Sequence, residues 1–219
     1  MKLVNPIPNF TSDKFPKGDV IQYFGENIEL YKSIGLKNGH NGWDIIPNTG
    51  TIYGSPILAV TNGKITMVSY GNMTGGNEIQ LQSPLENGKG YITGYYHLSK
   101  ILVKMGDLVK AGDKIGEMGN SGFIVTGGIA YWGNNPPPDG KGSHLHFGIR
   151  PYFYDGITTT YKDWIDPNFI FNKKPMQIKT QNYKGELRVV LQADSVPTWE
   201  ALCRVYGLDP TQIDETINA

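Results

Sequence analysis

The segment "KGSHLHFGIR", residues 141–150, holds two of the four histidines of this 219-residue chain, His144 and His146, with one leucine between them. Side chains two apart on a strand project from the same face. A strand here offers two imidazoles to one point in space and turns Leu145, Phe147 and Ile149 the other way. That second set is apolar throughout and is expected to face the core. Next on the histidine face is Gly148, which leaves room for an approaching group. Upstream, "NGHNGWDII" brings His40 and Asp44 together beside Gly39 and Gly42. Glycines make a helix costly there, so the segment reads as a glycine-bent loop with both side chains turned inward. One imidazole, one carboxylate and one further imidazole form a three-ligand set with a fourth position free, as catalytic zinc requires. Nitrogen and oxygen donors without a thiolate suit such a borderline metal. Taken alone, Asp44 reads better as a turn carboxylate capping a nearby N–H. The remaining histidine, His97 in "TGYYHLSKI", fits a half-exposed strand position by itself.

The elements that must position these residues are mostly strands. Glycine contributes 28 residues, well above the usual ~7%, and short Val/Ile/Thr runs recur between turn signals. "SPILAVTNGKITMVSYG" reads as strand, Asn62-Gly63 turn, strand. "NEIQLQS" and "YITGYYHLSKI" are two further alternating segments. "VKMGDLVKAGDKIGEMGNSG" repeats a Gly-Asp turn, as successive hairpins of a compact barrel or sandwich would. "IVTGGIAYWGNNPPPDGKG" is expected as a long irregular loop, because Pro136, Pro137 and Pro138 block helix and ladder alike. The expected fold is mainly β, a compact antiparallel sheet or barrel-like sandwich with a groove.

Residues 1–20 read as an extended arm, residues 21–172 as the main domain, and 173–219 as a linker and small α-containing C-terminal segment. In that segment "GELRVVLQ" reads as a strand, while "PTWEALCRVYG" and "DPTQIDETIN" read as helices. Strand, helix, helix loosely resembles a LysM-type module, although the closing strand is missing. The single cysteine, Cys203, excludes an intrachain disulfide. Lys+Arg and Asp+Glu are 20 each, and no basic run offers a nucleic-acid surface. No stretch is long and apolar enough for a membrane span. The N-terminal residues, interrupted by Pro6 and Pro8, lack the apolar region of a secretory signal.

"HNGWD", "YYHLSKILVKMGDLVKAGDKIGEMGNSG" and "GSHLHFGI" resemble, in order, the three signature segments of the lysostaphin/LytM-type zinc metallopeptidases, which cleave peptide bonds in bacterial peptidoglycan. The resemblance runs from about Gln22 to Phe171. It implies that His40, Asp44 and His146 bind one zinc ion and that His97 and His144 are an unliganded catalytic pair. An imidazole with a pKa near 6.5 can serve as the base that H-E-x-x-H peptidases draw from glutamate. Which of the two takes the proton stays open.

One departure stands out. Members of the family usually have few residues between the "GNSG"-like turn and H-x-H, whereas residues 123–142 intervene here. That insertion ends at the catalytic strand, so Tyr131, Trp132 and the proline run are expected to form one groove wall, with Tyr96 also lining the groove. A non-catalytic peptidoglycan-binding protein of the same fold is the alternative, but such proteins lack some of these five residues. A lipoyl- or biotinyl-type carrier, whose hairpins "GDLVKAGDKIGEM" resembles, leaves the histidines unexplained. The missing signal segment points to a phage lysis or tail-associated enzyme, with a virion or tail protein as a possible partner.

Overall fold

The Val/Ile/Thr runs become short strands because their alternating side chains can bury one face, and among the described residues every strand pair is antiparallel. The computed structural model describes residues 3–33, 35–171, 177–183 and 186–192. The chain divides into two units, Met1–Phe171 and Asn172–Ala219. In the first unit, β1 (Val20–Gln22), β2 (Trp43–Ile45), β3 (Pro56–Leu58), β4 (Gly63–Asn72), β5 (Gly76–Gln82) and β6 (Lys89–Tyr96) come first. They are followed by β7 (Lys100–Ile101), β8 (Leu108–Val109), β9 (Lys114–Glu117), β10 (Ile124–Thr126), β11 (Ile129–Tyr131), β12 (Leu145–Tyr154) and β13 (Thr159–Tyr161). Helix α1 (Ile28–Ser33) precedes β2, and α2 (Asn168–Phe171) follows β13.

The main sheet has the order β1-β2-β12-β6-β5-β4-β8, and β13 pairs with the far end of β12. A second sheet, β3-β9-β7, contributes Ile57 and Ile115 to the same core as Ile65, Ile79, Leu81, Tyr95 and Phe147 of the main sheet. The sandwich expectation holds, but the barrel-like one does not. The main sheet is open, ending in β1 and the two-residue β8, which do not pair with each other as closure requires. Leu145, Phe147 and Ile149 are fully buried, so the apolar side of β12 does face inward.

Two local expectations need correction. The strands flanking Asn62-Gly63 do not form a hairpin: β3 pairs with β9, while β4 pairs with β5 and β8. Gly63 is needed for close approach instead, since a Cβ there would run into the Gln82 carbonyl. The two Gly-Asp turns do share one construction. Asp107 Oδ2 accepts the Lys104 N–H at 2.9 Å, and Asp113 Oδ2 accepts the Lys110 N–H at 2.8 Å. They carry the chain from one sheet to the other and back rather than closing successive hairpins.

Residues 3–19 contain no strand, yet they are fastened to the core. The Val4 N–H donates to the Val60 carbonyl, Leu58 N–H to Pro6, and Ile7 is buried. In the second unit β14 (Gln177–Tyr183) pairs with β15 (Glu186–Gln192), the strand expected in "GELRVVLQ". The two expected C-terminal helices, the LysM-like reading and Cys203 lie outside the described residues. Among the described residues no helix is long and apolar enough to cross a membrane.

Candidate metal centre

Cross-strand register brings the distant segments together. On β12, His146 lies opposite Asp44 of β2 on one side and Tyr96 of β6 on the other. Asp44 is therefore held by a short strand rather than by a bent loop. Its neighbours Trp43 and Ile45 go into the core and leave the carboxylate on the histidine face. His40 does sit in the preceding loop. Its N–H donates to the Glu26 carbonyl at 3.0 Å, and its ring packs 5.0 Å from that of Tyr31.

Three donor atoms converge. His40 Nε2 and His146 Nδ1 each lie 3.0 Å from Asp44 Oδ1, and they are 2.8 Å from one another. The Tyr23 carbonyl, 3.0 Å from His40 Nδ1, can only accept a hydrogen bond, so Nδ1 carries a proton. In the neutral ring Nε2 then presents a lone pair to the carboxylate. Electron-rich atoms at such separations need a cation or shared protons between them. Two imidazole nitrogens and one carboxylate oxygen, all within reach of a single ion, match the ligand set of a catalytic zinc. The Tyr23 carbonyl supplies the outer hydrogen bond that usually orients a ligating histidine. Gly42 makes the closeness possible: a Cβ there would sit 3.0 Å from His146 Cε1 and Nε2 and collide with the Phe147 carbonyl.

The other two histidines stand beside this cluster. The rings of His97 and His144 are 4.7 Å apart, and His97 is 6.0 Å from His146. His97 follows β6 with a left-handed φ of 63°, a conformation uncommon outside glycine. There its Nδ1–H donates to the Ser121 carbonyl at 2.7 Å. His144 precedes β12, bridged to Gly119, and its Nδ1–H donates to the Gly142 carbonyl at 2.8 Å. Its Nε2 lies 3.6 Å from Asp44 Oδ1. His144 is thus outside the regular strand but keeps the face expected of it.

Burial and mutual proximity set the protonation of the group. Burial pushes the His97 imidazole well below its usual range, and the neighbouring His144 and His146 add to this. Burial also lowers His146. For His40, burial acts downward but the Asp44 carboxylate outweighs it and holds the ring up. For Asp44, burial acts upward, yet the surrounding histidines keep the carboxyl well below the usual range.

The expected groove residues are placed unevenly. Tyr96 packs edge-on against His146, with centroids 5.2 Å apart, and burial pushes its hydroxyl pKa up. Tyr131 ends β11 and is half-buried, while Trp132 stacks 4.1 Å from Phe123. Neither makes a ring contact with the histidines among the described residues. The insertion is also less irregular than expected. Gly127 and Gly128, both at positive φ, turn β10 into β11 as a hairpin. The Gly-Gly pair between apolar runs was the signal for it. Asn120 pins the proline run, its Nδ2 donating to the carbonyls of Pro137 and Lys141 at 2.9 Å each.

Gly148 does not leave open space. The Trp164 indole lies over it, with a Cβ position 2.9 Å from Cε3, and contacts Tyr96 at 6.3 Å. Trp164, Tyr23 and Ser121 were not singled out from the sequence; two of them act through backbone carbonyls, which no residue type signals.

Comparison with known proteins identifies the family. The description "Peptidase family M23" matches residues 38–158. The chain is similar to the glycyl-glycine endopeptidase ALE-1 of Staphylococcus capitis, 43% identical over 94 residues, which is 42% of this chain and 24% of that protein. It is 31% identical over 118 residues to the peptidoglycan DD-endopeptidase ShyC of Vibrio cholerae, covering 54% of this chain and 22% of that one. The solved catalytic domain of lysostaphin from Staphylococcus simulans shares 30% identity over 61% of this chain and 80% of that chain, with a TM-score of 0.41. The chain thus spans about a quarter of the length of these curated relatives. The matched span exceeds half of the 219 residues and holds His40, Asp44, His97, His144 and His146, and on that ground the chain belongs to peptidase family M23.

Proposed function

We propose that the protein is a zinc-dependent endopeptidase that hydrolyses peptide bonds of bacterial peptidoglycan. The observation that carries the reading is the arrangement of three imidazoles. His40, His97 and His144 each have Nδ1 tied to a backbone carbonyl, which commits each Nε2 to chemistry. Zinc, when bound by His40, Asp44 and His146, polarises a peptide carbonyl and makes water a better nucleophile at neutral pH.

The remaining steps belong to His97 and His144. His97, kept neutral by burial, takes a proton from the attacking water at Nε2. Two imidazoles this close disfavour double protonation, so the pair works with one proton at a time. His144, the less buried of the two, receives that proton from His97 at its own bare Nε2 and returns it to the leaving amine. Tyr96 covers one side of the His146 ring and is itself backed by Trp164.

The insertion bearing Tyr131 and Trp132 is proposed as the wall that selects the substrate. In support, the Ser121 carbonyl that holds His97 is two residues from Phe123, on which Trp132 stacks. The two curated relatives are named for different bonds, glycyl-glycine and DD, so the reading is made at the level of a peptidoglycan peptide. A non-catalytic binding role is disfavoured because all five positions carry the residue types the reaction needs.

The test is digestion of purified cell walls with zinc-loaded protein, followed by mass spectrometry of the released peptides. New amine termini that disappear after verified chelation support the reading; their persistence without metal rejects it. A phage lysis or tail-associated setting is a separate proposal, tested by immunodetection in purified virions and in lysates at the time of lysis.

A further inference from the structure

The face of β12 that carries His146 continues through Gly148 to Arg150. Arg150 is half-buried, and its guanidinium carbon lies 5.2 Å from the Tyr161 ring centre and 5.1 Å from that of Trp164. Among the described residues it has no carboxylate partner, and its Nε is sealed from solvent with no acceptor. Aromatic faces hold such a cation in place and favour its charge, but they leave its hydrogen-bonding edge unused. Arginine presents donors in a planar fork matched to carboxylate.

The cation is joined to the metal centre by a continuous aromatic wall. Tyr96 packs on His146, Trp164 packs on Tyr96, and Arg150 packs on Trp164. Beneath the wall, Gly94 and Gly148 face each other across β6 and β12. Cβ atoms there would meet Tyr96 and Trp164 respectively, so the two glycines seat the rings. Four residues of strand separate His146 from Arg150, about 14 Å. An extended peptide covers that in about four residues.

We infer that Arg150, steadied by Trp164 and Tyr161, is a specificity-determining residue that binds a free carboxylate of the peptide substrate about four residues from the scissile bond. This rests on the endopeptidase reading and assigns a substrate feature to it. The carboxylate belongs either to an internal acidic residue or to the peptide's C-terminus, and both present the same group to the fork.

The test uses one wall peptide that the zinc-loaded protein cleaves, prepared in three forms: carboxylates free, only the internal one amidated, and only the C-terminal one amidated. One amidation is expected to raise KM about tenfold, the scale of a charge-assisted hydrogen bond, with kcat nearly unchanged. Which form suffers identifies the source. Arg150→Met is expected to process all three forms alike, and Arg150→Lys to keep part of the preference.

Equal KM for the three forms with the wild type overturns the inference, as does an Arg150→Met variant that slows all forms equally while keeping the preference. If Arg150→Met does not fold, the wild-type comparison and Arg150→Lys decide. Failure of the wild type to cleave any wall peptide counts against the endopeptidase reading instead. The carboxylate preference is then read by equilibrium titration of tryptophan fluorescence, with Trp164→Phe as the control. Equal affinities for the three forms overturn the inference there too.

Discussion

His40 Nε2 and His146 Nδ1 lie 2.8 Å apart although 106 residues separate them in the chain. A loop glycine and a strand register produce that contact. Gly42 lets the His40 loop pass against the His146 ring, and β12 pairing with β2 fixes where that ring stands.

Gly42→Ala is expected to harm metal binding more than it harms the fold. Its methyl meets the His146 ring and a β12 carbonyl, an overpacking cost of about 1–3 kcal/mol. Displacing a ligand ring should also weaken zinc by roughly 10–100-fold, as loss of an orienting contact does. Melting temperature with and without zinc, together with a competitive zinc titration, reads both. Unchanged zinc affinity contradicts the role given to Gly42.

Four of the five polar residues, substituted singly, should separate into two groups by metal content. Asp44→Ala and His146→Ala are expected to purify without zinc. His97→Ala and His144→Ala should retain about one zinc per chain and lose about 10²–10⁴ in turnover, the usual share of acid–base catalysis. Elemental analysis beside a peptide-release assay distinguishes them. Zinc loss in His144→Ala reverses the assignment within H-x-H.

His97 should make the protein less stable in mild acid. Burial, with His144 and His146 nearby, lowers its folded pKa below the usual 6.5, so the unfolded chain binds the proton first as pH falls. The stability from its neutral ring is fully present above about pH 6.5 and is lost toward the lower folded value. Asp44, held below its usual 3.8, acts in the same sense at lower pH. His40, shifted upward, contributes below pH 6.5 and loses that contribution as pH rises. Melting temperatures of metal-free wild type and His97→Asn between pH 5 and 8 isolate the His97 share. The wild-type curve should fall more steeply on the acid side, and parallel curves would remove His97 as the source.

Asn120→Ala should loosen the insertion without touching the metal. It deletes a buried hydrogen bond to Pro137 and a partly buried one to Lys141, worth roughly 1–3 kcal/mol when the carbonyls are left unpaired. Faster proteolysis within residues 123–142 and a raised KM at constant kcat are expected. If proteolysis accelerates while KM does not move, the insertion is not the substrate-selecting wall.

The make-up of the candidate site was legible in the sequence because it resides in residue types and short spacings. The period-two alternation of β12 assigned Leu145, Phe147 and Ile149 to the core and His144 and His146 to the opposite face. The glycines around His40 marked an irregular loop. The Gly-Asp repeat marked two like turns, each closed by its own aspartate. Such features need no knowledge of what lies across the fold.

Features that depend on non-local pairing were decided only by tertiary structure. Asn62-Gly63 is locally a good hairpin turn, but β3 and β4 find partners in different sheets. Gly148 reads as space on a strand, and Trp164 fills it from 16 residues away. The carbonyls of Tyr23, Ser121 and Gly142 set the histidine tautomers, and a backbone oxygen has no identity in sequence. Residue types determined which groups are available for metal and proton chemistry. Strand register and packing decided which nitrogen of each ring faces the candidate site, because a tautomer is set by the hydrogen bond on the ring's other side.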